Sequence, residues 1–111
     1  MKKNIILTLG VLAIAGLIYA GQGNPNTLTN KEKTEGWRLL FNGTSFDGWR
    51  GYRMTGIPES GWKIEEGLLK TVPKAKGREL ITVQKFNDFE LSWEWNISKG
   101  GNNGVKYFVT E

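Results

Sequence analysis

The stretch Phe86–Phe108 reads FNDFELSWEWNISKGGNNGVKYF, and its pattern decides the fold class. Phe89, Leu91, Trp93, Trp95 and Ile97 alternate with Glu90, Ser92, Glu94 and Asn96. A period of two sends successive side chains to opposite faces of a strand. The spacing predicts a strand over 86–97 with one buried apolar face and one polar face carrying two carboxylates. Each large side chain buried there would contribute roughly 1.5–3 kcal/mol. Residues 100–104 follow as a glycine/asparagine turn, and Val105–Thr110 begins a further strand.

Working outward, the same signals recur. Trp37–Phe41 reads as a strand, closed by the turn dipeptide Asn42-Gly43. Phe46–Trp49 reads as a short loop or edge segment, and Arg50–Ser60 as irregular chain interrupted by Pro58. Trp62–Glu65, Glu66-Gly67 and Leu68–Val72 spell strand, turn, strand. Leu80–Val83 is another strand after the loop 73–77. Before them, Thr29 with Glu32 three residues on forms a capping box, which predicts one short helix over 30–35 stopped by Gly36. Short strands joined by tight turns imply an all-β fold, an antiparallel β-sandwich. A strand as regular as 86–97 calls for neighbours on both sides. The domain is therefore expected to be incomplete in this chain.

Composition narrows the chemistry. The 111 residues suffice for one small domain. Cysteine and histidine are both absent. That excludes disulfides, thiolate metal sites, the Ser-His-Asp triad and the commonest metal ligand. The fifteen glycines favour a turn-rich β protein. The net charge is +4, but its basic residues are scattered; Lys74, Lys76 and Arg78 lie together in a loop that reads as solvated. No nucleic-acid partner is expected.

Residues 1–20 have the form of a secretory signal peptide: Lys2 and Lys3, then an apolar run from Ile5 to Ala20, then small residues at Gly21 and Gly23. Cleavage after Ala20 fits. The run is shorter than the ~20 residues that span a bilayer comfortably, and an uncleaved N-terminal anchor is the alternative. Without cysteine, a lipid-modified lipoprotein is excluded. The expected location is periplasmic or secreted, in a bacterium, with no membrane contact once the signal is removed. Residues 21–28 read as a linker and 29–111 as the domain.

Four segments together resemble one family. LTNKEKTEGWRLLFNGTSFDGW (28–49), GWKIEEGLL (61–69), FNDFELSWEWNI (86–97) and GGNNGVKYF (100–108) are similar, in order and approximate spacing, to the 3-keto-disaccharide hydrolase domain. The resemblance implies a concanavalin A-like jelly roll of which this chain holds the N-terminal part. It implies secretion by bacteria that degrade glycans, a carbohydrate substrate and action on glycosides whose glucose C3 is a ketone. One departure is visible. The family's turn usually reads Asn-Ser-Gly, whereas here it is Asn102-Asn103-Gly104, which puts a role for position 103 in question.

A 3-keto group acidifies the C2 proton. A base can remove it, the enolate expels the C1 substituent, and water adds back. Such a reaction needs a positioned base and stabilisation of the enolate oxygen. Glu94 is the first candidate, as base or as ligand to a divalent metal ion held by oxygen donors. Its alternative is a solvent-facing strand glutamate. Glu90 lies on the same face as a substrate-binding or surface carboxylate. Asn102 and Asn103 offer amides to a sugar, or simply build a turn. Lys106 could stabilise the enolate, or be a surface lysine. Trp49 and Trp62 flank the irregular loop and could stack on a sugar ring, with core the alternative; Trp93 and Trp95 read as core. Two other functions stand beside the hydrolase: a non-catalytic carbohydrate-binding sandwich, and a conventional two-carboxylate glycosidase.

Overall fold

The computed structural model describes residues 3–8, as backbone, and residues 26–111. The expected signal peptide and linker lie outside the described residues, apart from Lys3–Thr8 and 26–28. Among the described residues no helix is long and apolar enough to cross a membrane.

The fold is an incomplete all-β sandwich with almost no helix. The one helix among the described residues, α1 (Asn30–Thr34), starts as its capping box requires. Thr29 Oγ1 accepts from the Glu32 N–H at 3.2 Å, and Glu32 Oε2 accepts from the Thr29 N–H at 2.6 Å. Two orphan donors of the first turn are thereby satisfied. The bonds from Thr29, backbone first, hold the Glu32 carboxyl below its usual range.

Seven strands lie among the described residues: β1 (Lys3–Thr8), β2 (Trp37–Leu39), β3 (Trp49–Gly51), β4 (Trp62–Glu65), β5 (Leu68–Thr71), β6 (Leu80–Thr82) and β7 (Phe89–Glu94). β4 and β5 form the expected hairpin, with Trp62 opposite Thr71 and Glu65 opposite Leu68. This register places Lys63 opposite Lys70, a like-charge pair that would be unfavourable alone. Glu65 Oε2 lies 2.8 Å from Lys70 Nζ and 3.2 Å from Lys63 Nζ and so screens both. The hydrogen bond from Lys70, then that from Lys63, lowers the Glu65 pKa.

β3 and β6 form a second antiparallel pair, with Trp49 opposite Thr82 and Gly51 opposite Leu80. Trp49–Gly51, expected as a loop edge and the start of irregular chain, is therefore a strand. Its partner lies some thirty residues downstream, beyond the reach of any local pattern. The third sheet has the order β2-β1-β7, and both of its pairings are parallel rather than antiparallel. Long connections on either side permit this, since parallel neighbours need a crossover of a dozen or more residues.

β7 ends at Glu94 rather than at 97, and Trp93 and Trp95 are 40% and 54% exposed rather than buried. Phe89 and Leu91, nearer the start of the strand, are half-buried. The alternation is real, but no described element covers its apolar face at that end. Likewise Val105–Thr110 forms no strand; Tyr107 and Phe108 are 69% and 82% exposed. A strand needs a neighbour for its backbone groups, and no described strand pairs with this segment.

The core centres on Phe41, 1% exposed, which leaves the end of β2 and turns inward. Asn26, expected as linker, is buried instead at 7% exposure. Its Nδ2 donates to the Gly67 carbonyl at 2.8 Å and packs against Gly43, where a Cβ would lie only 2.8 Å from it. One asparagine thus ties the entry of the domain to two turns. Beside it Asn42 Oδ1 accepts from the N–H groups of Thr44 and Ser45, as the Asn42-Gly43 reading anticipates.

Candidate functional site

Glu90 and Glu94 stand on one face of β7, four residues apart and exposed. At about 3.3 Å per residue their α-carbons are separated by about 13 Å. The paired carboxylates of inverting glycosidases are about 6.5–9.5 Å apart, and those of retaining enzymes closer still. This backbone spacing is wider than either carboxyl separation, so a glycosidase pair would need the two side chains to lean toward each other along the strand. Neither glutamate lines either of the two hollows formed by residues 87–89 with 107–108 and by residues 50–55 with 111.

The other expected site residues are not brought together. Lys106, Asn102 and Asn103 are exposed on the chain after β7. The positive φ of that turn falls on Gly100, not on either asparagine. Asn103 Oδ1 accepts from the Gly104 N–H at 2.7 Å. Trp49 and Trp62 are half-buried on different sheets. Each indole N–H is tied to a backbone carbonyl: Trp49 Nε1 to Leu40 at 2.7 Å, and Trp62 Nε1 to Arg78 at 2.8 Å. Both act as staples between segments. For a divalent cation the chain would need converging oxygen donors. Among the described residues no three carboxylates converge.

Two hollows do gather chemically useful groups. The first, of about 370 Å³, lies between the start of β7 and the later chain, and is lined by Asn87, Asp88, Phe89, Tyr107 and Phe108. Tyr107 and Phe108 meet edge to face, with ring centroids 5.2 Å apart. Aromatic faces offer a platform for the C–H face of a sugar, and Asn87 and Asp88 offer hydrogen bonds at its edge. The sequence pattern places Tyr107 at the start of a further strand and gives Asp88 no role. The proximity of 87–89 to 107–108 comes from the path of the chain, which no local spacing encodes.

The second hollow, of about 490 Å³, is lined by Arg50, Arg53, Met54, Thr55 and Glu111. Arg50 grips the Glu111 carboxylate with both terminal nitrogens, Nη1 to Oε1 at 2.8 Å and Nη2 to Oε2 at 2.5 Å. The Arg53 N–H donates to Oε1 at 2.5 Å, and the Tyr52 hydroxyl donates to the Thr110 carbonyl at 3.0 Å. The hydrogen bond from Arg50, then that from the Arg53 backbone, pulls the Glu111 pKa down from 4.5 to about 2. Arg50 is correspondingly raised. A carboxyl more acidic in the folded chain stabilises it fully above pH 4.5, and that contribution is lost as pH falls toward about 2. The Arg53 amide resonance is expected to titrate with a midpoint near 2, and Glu111→Gln should abolish the titration. A midpoint near 4.5 would show that the grip is absent in solution.

Residues 36–111 match the 3-keto-alpha-glucoside-1,2-lyase-like domain family, and the chain belongs to that family. A 3-keto-disaccharide hydrolase of Bacteroides thetaiotaomicron is 40% identical over 84 residues, covering 69% of this chain. The alignment takes in 29% of the relative's own length.

Proposed function

We propose that the chain forms part of a hydrolase that cleaves the glycosidic bond of 3-keto-glucosides and 3-keto-disaccharides. The observation that carries this reading is the family match across residues 36–111. The relative's name and the aromatic hollow support it. The reaction is elimination followed by hydration. A carboxylate takes the C2 proton, whose electron pair passes into the C3 ketone as an enolate. The enolate then expels the C1 substituent, which leaves with a proton, and water adds across the resulting double bond.

In this reading the sugar ring rests on Tyr107 and Phe108, with Asn87 at its hydroxyls. Two carboxylates are candidates for the base. Asp88 lines the hollow itself. Glu94, the last residue of β7, lies outside it and would need the substrate to reach along the strand. Lys106, next to Tyr107 in the chain, is a candidate to stabilise the enolate oxygen; Asn102 and Asn103 are candidate amide donors. The basic and apolar order of residues 1–20 supports action outside the cytoplasm.

The test is aglycone release from a 3-keto-glucoside by the full-length protein. Release is expected, and Asp88→Asn or Glu94→Gln should lower it by about 10²–10⁴-fold, according to which is the base. Unchanged turnover in both variants would remove both from the role. No release, even with a divalent metal supplied, would overturn the hydrolase. Retained sugar binding in that case would favour the second reading, a non-catalytic carbohydrate-binding module, which the exposed aromatic pair also suits.

A further inference from the structure

We infer that Asn103 is a site of spontaneous covalent modification, converted through a succinimide to aspartate and isoaspartate, while the fold protects Asn42 from the same reaction. These two asparagines precede glycine; every other asparagine in the sequence precedes a residue that carries a side chain. The chemistry is an intramolecular acyl substitution. The backbone nitrogen of the following residue loses its proton to solvent base and attacks the side-chain carbon Cγ. The new N–Cγ bond closes the succinimide ring, and the Cγ–Nδ2 bond breaks with release of ammonia. Water then opens the ring at either carbonyl, giving aspartate or isoaspartate. Glycine permits ring closure because no Cβ crowds its nitrogen and its backbone is the least restricted. By sequence, therefore, the two sites are equivalent.

The structure separates them. Asn103 and Gly104 are both exposed, so solvent base reaches the Gly104 N–H. That nitrogen lies 2.7 Å from Asn103 Oδ1, which keeps the side-chain carbonyl beside the atom that attacks it. A turn about the Cβ–Cγ bond then presents the face of the carbonyl carbon. A Cβ at Gly104 would meet nothing within 4 Å, so no neighbour resists the movement. At Asn42 each condition is reversed. Gly43 is buried, and Asn26 packs over it so closely that a Cβ would lie 2.8 Å from the Asn26 Nδ2. Asn42 Oδ1 accepts from the N–H groups of Thr44 and Ser45 at 2.9 and 2.8 Å, and its Nδ2 donates to Ser45 Oγ at 2.8 Å. These bonds direct the side chain past Gly43 and must break before Cγ can meet the Gly43 nitrogen.

The departure from the family's usual Asn-Ser-Gly turn is what creates the reactive position, since a serine side chain has no acyl carbon to attack. The product differs in kind from the asparagine. An amide that donates and accepts becomes a carboxylate that only accepts, and the net charge falls one unit below +4. Isoaspartate also reroutes the main chain through the side-chain carbon, between β7 and the Tyr107–Phe108 edge of the aromatic hollow. None of this depends on the hydrolase reading, because the reaction needs only water.

The experiment incubates the full-length protein at mildly alkaline pH, digests samples over time and follows the peptides carrying Asn42 and Asn103 by mass spectrometry. Methyl transfer by an isoaspartate methyltransferase identifies the isoaspartate. A parallel sample in urea releases both turns. In urea the two asparagines are expected to react at similar rates. In the folded protein Asn103 should continue to react, with Asn42 slower by about tenfold or more, as expected when several hydrogen bonds must first be broken. Ser45→Ala, which removes one of those bonds, should speed Asn42 and leave Asn103 unchanged. Gly104→Ala should slow Asn103 and leave Asn42 unchanged. If either variant fails to fold, the folded and urea samples of the wild-type protein decide. Asn103 stable in the folded protein but lost in urea overturns the site. Asn42 reacting as fast as Asn103 in the folded protein overturns the protection, and so does the same inequality persisting in urea.

Discussion

Phe41→Ala is expected to cost about 3–5 kcal/mol of stability, the usual range for deleting a buried phenylalanine. Phe41 is 1% exposed and is the one large side chain fully buried among the described residues. The apolar residues nearest it in the chain, Leu39, Leu40 and Phe46, are half-buried. They can relax partly into the space, which favours the lower end of the range. Even so, about 3 kcal/mol is a large share of a typical 5–15 kcal/mol for a folded domain. A urea titration of both proteins measures it. A difference below about 1 kcal/mol would mean that Phe41 is not the centre of the core.

Gly61→Ala should be comparably damaging, for a reason unrelated to hydrophobicity. Gly61 has φ +96, and a Cβ there would lie 2.6 Å from the Gly77 Cα and 3.2 Å from its nitrogen. The obstacle is backbone, so no rotamer change relieves it. Gly77 meets Gly61 and Ser60 equally closely, so neither segment can accept a side chain at the crossing. The crossing is pinned by Ser60 Oγ on the Lys76 carbonyl and Trp62 Nε1 on the Arg78 carbonyl, each at 2.8 Å. The strained φ contributes about 1–3 kcal/mol, and overpacking about 1–3 kcal/mol more. Gly48→Ala separates the two effects, because Gly48 has φ +84 with nothing within 4 Å of a Cβ. Gly61→Ala should exceed Gly48→Ala by the overpacking share. It should also speed hydrogen exchange at the Val72 amide, which bonds the Gly61 carbonyl at 2.9 Å. Equal losses in the two variants would mean that the crossing is open in solution.

Local signals in the sequence were sufficient wherever the controlling interactions are local. The capping box at Thr29 and Glu32 names both partners within one turn of helix. The hairpin Trp62–Thr71 is set by alternating strands around Glu66-Gly67, and its register follows from the short turn. The alternation of β7 correctly separates Glu90 and Glu94 from Phe89 and Leu91. The family was legible for a related reason: four short motifs, each governed locally, occur in one order, and the match over 36–111 bears the resemblance out.

Local pattern was therefore enough for the all-β class, the helix start, the central hairpin and the side of β7 on which each residue stands. Tertiary structure alone decided which of those faces is covered. It left Trp93 and Trp95 in the open, buried Asn26 and joined Arg50 to Glu111 across 61 positions. The division has a physical cause. Backbone sterics and capping bonds act within a few residues, whereas burial and long-range ion pairing depend on where distant segments come to rest.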